Sequence, residues 1–100
     1  MRFHKYEFEE VLIEGRGLFP VKAWVSGSVN VRYAFEEPRT PVIVSFQDLG
    51  DVFLIFDDAE RTSLDIDDDD KETLDALATQ VFNALDQEHI LDEIYEAEFG

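Results

Sequence analysis

Residues 19–35 read FPVKAWVSGSVNVRYAF, and how this run is divided decides the fold. Its odd positions are apolar (Phe19, Val21, Ala23, Val25, Val29, Val31, Tyr33 and Phe35), while Lys22, Ser26, Ser28, Asn30 and Arg32 hold even ones. Alternation with period two means β-structure with one buried face. Seventeen residues in one strand would reach about 55 Å, long for a small domain, so a turn is predicted at Ser26-Gly27-Ser28. Both arms keep their apolar residues on odd positions, so the loop must hold an odd number of residues. A two-residue loop would set Val25 opposite Asn30 and spoil the face.

A second hairpin is expected on the C-terminal side. Pro41 to Asp48 and Asp51 to Asp57 are rich in β-branched and aromatic residues and meet at Leu49-Gly50. Val52 to Phe56, VFLIF, is apolar on both faces, which predicts a central strand covered on both sides. On the N-terminal side, residues 2–14 form a further strand. The parity of Phe3, Tyr6, Phe8, Val11 and Ile13 breaks within it, which predicts a bulge. Gly15-Arg16-Gly17 then turns the chain. Residues 1–57 therefore read as a four- to five-stranded antiparallel meander.

Beyond residue 66 the period changes. Leu74, Leu77, Ala78, Val81, Phe82 and Leu85 recur at helical spacing, and Ile90, Leu91, Ile94 and Tyr95 continue with a shifted phase. One kinked helix or two helices over 67–98 fit this pattern, packed on one face of the sheet. The fold class expected is α+β, in a single domain over 1–100. Nine phenylalanines among 100 residues argue against disorder. The N-terminal MRFHKYEFEE lacks the apolar centre of a signal peptide, and no run is long enough to span a membrane. The chain has no cysteine, which suits a reducing compartment, and a cytoplasmic location is expected.

The net charge is −16, and it is unevenly placed. Residues 1–56 carry eight acids and six bases, whereas residues 57–100 carry sixteen acids and two bases. Such asymmetry marks a surface for a cationic partner and argues against direct nucleic-acid binding.

The densest stretch is LDIDDDDKETLDAL, residues 64–77. As a calcium loop counted from Asp65 it fails, with Asp70 where glycine is required and Ala76 where the bidentate glutamate is required. No dedicated metal site is expected. Asp67-Lys71, DDDDK, matches a protease recognition sequence through composition alone. Capping of the following helix by Asp67 or Asp68, with Glu72 in the first turn, explains one or two of the aspartates. Catalysis has little support. His4 and His89 read as surface or packing residues, no serine sits in a nucleophile elbow, and Gly15-Arg16-Gly17 is no dinucleotide fingerprint. Neither an enzyme nor a cofactor is expected.

A binding protein fits better. Trp24 falls among Lys22, Ser26, Asn30 and Arg32, where it is either an exposed anchor or a residue covered by the N-terminal strand or C-terminal helix. The candidate partner-binding acids are Asp57, Asp58, Asp65, Asp67, Asp68, Asp69, Asp70, Glu72, Asp75, Asp86, Glu88, Asp92 and Glu93, with Glu60, Glu96 and Glu98 nearby. The bland alternative is a solvated face. A helix of about eighteen residues is about 27 Å long, and duplex DNA of that length carries about sixteen charges. The net −14 of residues 57–100 is comparable.

In its size, acidity and sheet-then-helix order, ending in DDDDKETLDALATQVFNALDQEHILDEIYEAEF, the chain resembles small, acidic, cysteine-free inhibitors encoded by phages. DNA mimics, several anti-CRISPR proteins and the uracil-DNA glycosylase inhibitor belong to that class. The resemblance implies a non-enzymatic inhibitor of a host CRISPR effector, nuclease or restriction enzyme, acting in the host cytoplasm as a monomer or homodimer. Three other readings share the charge pattern: an immunity protein against a basic toxin, an assembly adaptor dimeric through a sheet edge, and acid adaptation in a halophile.

Overall fold

The structure is a computed structural model that describes residues 2–100. Its elements are β1 (Arg2–Ile13), β2 (Ala23–Glu37), β3 (Thr40–Phe56), β4 (Ser63–Asp65), α1 (Lys71–Ala84) and α2 (Gln87–Phe99). The strands pair antiparallel in the order β1-β2-β3-β4, and both helices follow the sheet. This is the α+β meander expected. Its strands, however, are cut differently from the sequence-based expectation.

Ser26-Gly27-Ser28 is not a turn. It lies inside β2, which runs unbroken for 15 residues, and Leu49-Gly50 lies inside the 17-residue β3. The length argument fails because the molecule is elongated, 48 Å along its main axis against 24 and 19 Å across. It also fails because the sheet is irregular where the turns were expected. Between Phe8 and Val11, β1 carries an extra residue relative to β2. Between Phe53 and Gln47, β3 carries two more relative to β2, opposite Ser26 to Asn30. The turn-forming residues thus serve a row of bulges, which bend strands and increase twist. Glu10, Asp48 and Asp51 adopt positive φ (52°, 55° and 52°) in that row. Gly27 is needed there for close approach, since a Cβ on it would lie 2.9 Å from the Gly50 carbonyl oxygen and 3.2 Å from the Phe8 ring. The true β2–β3 hairpin turns at Pro38-Arg39, with Glu37 paired to Thr40.

The bulges explain the sequence pattern. Inward residues of β2 keep strict alternation, from Ala23 and Val25 through Val29, Val31 and Tyr33. Those of β3 are Ile43, Phe46, Leu49, Val52, Leu54 and Phe56, and each step of three marks one inserted residue. β1 shows one such step, from Phe8 to Val11, where the parity break in the sequence predicts it.

The helices cover only this inward face. Leu74, Leu77 and Val81 of α1 and Ile90 and Ile94 of α2 are buried against it. Double coverage of VFLIF does not occur. Phe53 and Ile55 pair with Ser26 and Trp24 on the open face and are half-buried there. The C-terminal segment is two helices, because Leu85 is extended and Asp86 begins a new cap. No helix among the described residues is long and apolar enough to cross a membrane.

Candidate partner-binding surface

The four consecutive aspartates are largely committed to the fold. Asp67 accepts from the Asp69 N–H at 2.9 Å, and Asp68 reaches across to accept from the Asp51 N–H of β3 at 2.9 Å. The cap of α1 is Asp70, not Asp67 or Asp68. Its carboxylate accepts from the Thr73 N–H at 3.3 Å and from the Thr73 hydroxyl at 2.7 Å. Helix numbering explains the shift: the cap accepts from the third helical residue, and only Asp70 stands three before Thr73. Of the four, only the Asp69 carboxylate accepts no hydrogen bond from a described residue; its carbonyl accepts from the Lys71 N–H at 2.9 Å.

Other candidate acids are tied down as well. Asp86 caps α2, accepting from the N–H groups of Glu88 and His89 at 3.1 and 3.3 Å. Asp58 closes the connection after β3 by accepting from the Thr62 N–H at 3.0 Å, and that hydrogen bond holds its carboxyl below the usual range. Glu93 meets His4 Nε2 at 2.8 Å. Glu98 accepts from both Arg2 and the Tyr33 hydroxyl, which lowers its pKa. Burial, and then the hydrogen bond to Glu98, raise Tyr33. Burial also raises the phenol of Tyr6, with the charges of Glu93 and Asp86 acting in the same direction.

The remaining acids project into solvent. Asp57, Asp65, Asp69, Glu72, Asp75, Glu88 and Asp92 are exposed, and their carboxylates have no hydrogen-bonding or ion-pair partner among the described residues. Glu88 and Asp92 lie one turn apart on α2, and Glu96 extends the stripe. The described residues hold two ion pairs, Arg2–Glu98 and Lys22–Glu14, beside the His4–Glu93 contact, so most of the charge is not compensated within the chain.

Trp24 lies apart from this stripe. It pairs with Leu12 and Ile55 on the sheet face opposite the helices. Neither helix covers it. Instead the Arg61 guanidinium sits over its ring at 4.8 Å from the centroid, a cation–π contact that the sequence gives no means to foresee. Asp65 pairs with Phe53 and belongs to the same open face, and the Asp57 N–H bonds the Lys22 carbonyl at that end of the sheet. The candidate residues therefore fall into two groups. One is Trp24 with Asp57, Asp58 and Asp65; the other is the acids at and beyond Asp67 on the helical layer. A flat partner surface would meet one group or the other.

A groove of about 340 Å³ lies between β3 and α1. Phe46 and Phe82 stack in it, ring centroids 5.2 Å apart, with Asp48 and Asp75 among its lining residues. Nothing in the sequence pattern signals it, because it arises from the crossing of two elements far apart in the chain. Among the described residues no three His, Asp or Glu side chains converge to hold a metal ion. Compared with protein-family models, curated proteins and solved structures, the chain matches none of them.

Proposed function

We propose that this protein is a non-enzymatic inhibitor that occupies the nucleic-acid site of a cationic host protein, its carboxylates standing where phosphates would bind. The observation that carries this reading is the set of exposed acids on α1 and α2, Glu72, Asp75, Glu88 and Asp92, which serve no hydrogen bond of the fold. Like charges one turn apart destabilise a helix slightly. Asp75 and Asp92 lie beyond the first turns and add to that repulsion, which a cationic partner would relieve.

The geometry sharpens what is imitated. The helices are about 21 and 20 Å long, shorter than a single eighteen-residue helix would be. The molecule measures 48 Å along its main axis. Over that length a duplex carries about 28 phosphates and one strand about 14. Even the whole net charge of −16, of which one face presents only a part, is nearer the charge of one strand than of a duplex. The partner is accordingly a protein whose cleft grips one backbone strand with lysines and arginines, such as a nuclease, restriction enzyme or CRISPR effector. The proposal places inhibitor and target together in the host cytoplasm, as phage-encoded inhibitors would be.

The test is capture of partners from a bacterial lysate, followed by competition. Single-stranded and duplex oligonucleotides are expected to displace the captured protein, and raising salt from about 50 to 200 mM to weaken its binding markedly. Simultaneous binding of nucleic acid and this chain, or binding indifferent to salt, sinks the proposal. Unfolding of the isolated protein in low salt would instead favour halophilic adaptation.

A further inference from the structure

Three arginines of the chain lie over aromatic rings. Arg61 covers Trp24 at 4.8 Å, Arg39 covers Phe99 at 5.4 Å and Arg2 covers Phe35 at 5.5 Å, measured to the ring centroids. Arg2 does more than stack, since its guanidinium also bonds the Glu98 carboxylate at 2.6 Å. Ring and carboxylate there hold two parts of one cation: the flat face takes the delocalised charge, and the oxygen takes an N–H.

The outer face of α2 offers the same two groups with no cation on them. Glu88, Asp92, Tyr95 and Phe99 follow at steps of four, three and four, which puts them on one side of the helix, opposite the buried Ile90 and Ile94. Tyr95 is 43% exposed, and among the described residues no arginine lies over its ring. Phe99 backs it, the ring centroids 5.0 Å apart. Helical side chains lean toward the helix N-terminus, which brings the Tyr95 ring over the turn that carries Asp92. His89 and Glu93, the other ionisable groups of that turn, are engaged with β1, where they meet Tyr6 and His4.

From this repetition we propose that Tyr95 and Asp92 receive an arginine of the partner protein, its guanidinium flat on the phenol ring and its N–H groups on the Asp92 carboxylate. Glu88, one turn earlier, attracts the same charge. The inference rests on the reading of the α2 acids as a partner-binding surface, and it names the group that meets them as arginine rather than lysine. An ammonium is compact and strongly hydrated, so it pairs with a carboxylate but gains less from a ring. Arg39 sets the limit of the site. It already occupies Phe99 and repels a second cation, so the partner's arginine lies on the N-terminal side of Tyr95, toward Asp92 and Glu88.

The test is a pair of capped peptides of about eight residues, arginine alternating with glycine in one and lysine with glycine in the other. Each is titrated into the natural chain and followed by amide and tyrosine-ring chemical shifts. The arginine peptide is expected to bind about threefold more tightly and to shift the Tyr95 ring and the amides from Asp92 to Phe99. Tyr95→Leu should abolish this preference and leave the affinity for the lysine peptide as it was, whereas Tyr95→Phe keeps the preference. Tyr95 is exposed and leucine is a good helix former, so the Leu variant stays folded, which an unchanged melting temperature verifies. Asp92→Asn is expected to weaken the arginine peptide about threefold. A preference that survives Tyr95→Leu, arginine-specific shifts centred away from α2, or no binding of either peptide overturns the inference. Equal and salt-dependent binding of both peptides overturns it alone and leaves the carboxylate surface standing, which the oligonucleotide competition tests separately.

Discussion

In the connection from β3 to α1, Asp58, Asp67, Asp68 and Asp70 each accept a backbone N–H, whereas Glu72, Asp75, Glu88 and Asp92 on the helix faces accept none. The first group is fixed by geometry: a carboxylate there closes a loop, ties it to β3 or starts a helix. The carboxylates of the second group accept no hydrogen bond; Glu72 and Glu88 still suit the positive N-terminal ends of α1 and α2, while Glu88 and Asp92 repel one another. A run of aspartates that looks like pure charge is thus mostly structural. The carboxylates left without a hydrogen bond are mostly the less conspicuous ones, spaced along the helices.

Neutralising the second group should have the largest effect. With Glu72→Gln, Asp75→Asn, Glu88→Gln and Asp92→Asn together, affinity for a captured cationic partner is expected to fall about 100-fold at low salt, roughly 0.7 kcal/mol per charge. The melting temperature should change little, since relief of the Glu88–Asp92 repulsion offsets the loss of Glu72 and Glu88 from the helix N-termini. Undiminished binding, measured by calorimetry, would erase the distinction between the groups. Next in size is the cap. Asp70→Ala is expected to cost about 1 kcal/mol in urea unfolding, whereas Asp70→Asn, which keeps the acceptor, costs little. Equal losses from both would mean that charge, not the hydrogen bond, is what matters at Asp70.

The smallest effect is pH-dependent. Glu98 has a depressed pKa, so its bonds to Tyr33 and Arg2 stabilise the fold fully above the ordinary value of 4.5 and progressively less as pH falls below it. The stability advantage of the natural chain over Glu98→Gln should therefore shrink between neutral pH and pH values below 4.5. An advantage that grows on acidification would contradict the contact.

Much of the fold is legible in the residues. Period two marks the sheet, period 3.6 marks the helices, and the phase shift around Gln87 marks the break that Asp86 caps. The division of β2 is not, because serine and glycine serve turns and bulges alike. The better guide was already in the sequence: odd parity kept from Ala23 to Phe35 belongs to one continuous strand, although Phe19 and Val21, which share the parity, precede it, while steps of three in β1 and β3 belong to bulges. At the surface, composition reveals the acids but not their partners. That Asp68 reaches Asp51, or that Arg61 covers Trp24, depends on elements brought together only by folding.

The row of bulges has one more consequence. A strand alternating small apolar and polar residues is blind to displacement by two positions, since valine replaces valine on the same face. β2, with Val25, Val29 and Val31 facing inward, is such a strand, and both neighbours are long. Sliding β1 or β3 by two residues would preserve the hydrophobic face yet drive the extra residues of one strand against the regular ladder of the next. It would also carry Gly27 away from the Gly50 carbonyl and set a bulky residue in its place. The irregularities thus act as a keyway, permitting one alignment of the strands where the side-chain pattern alone would permit several.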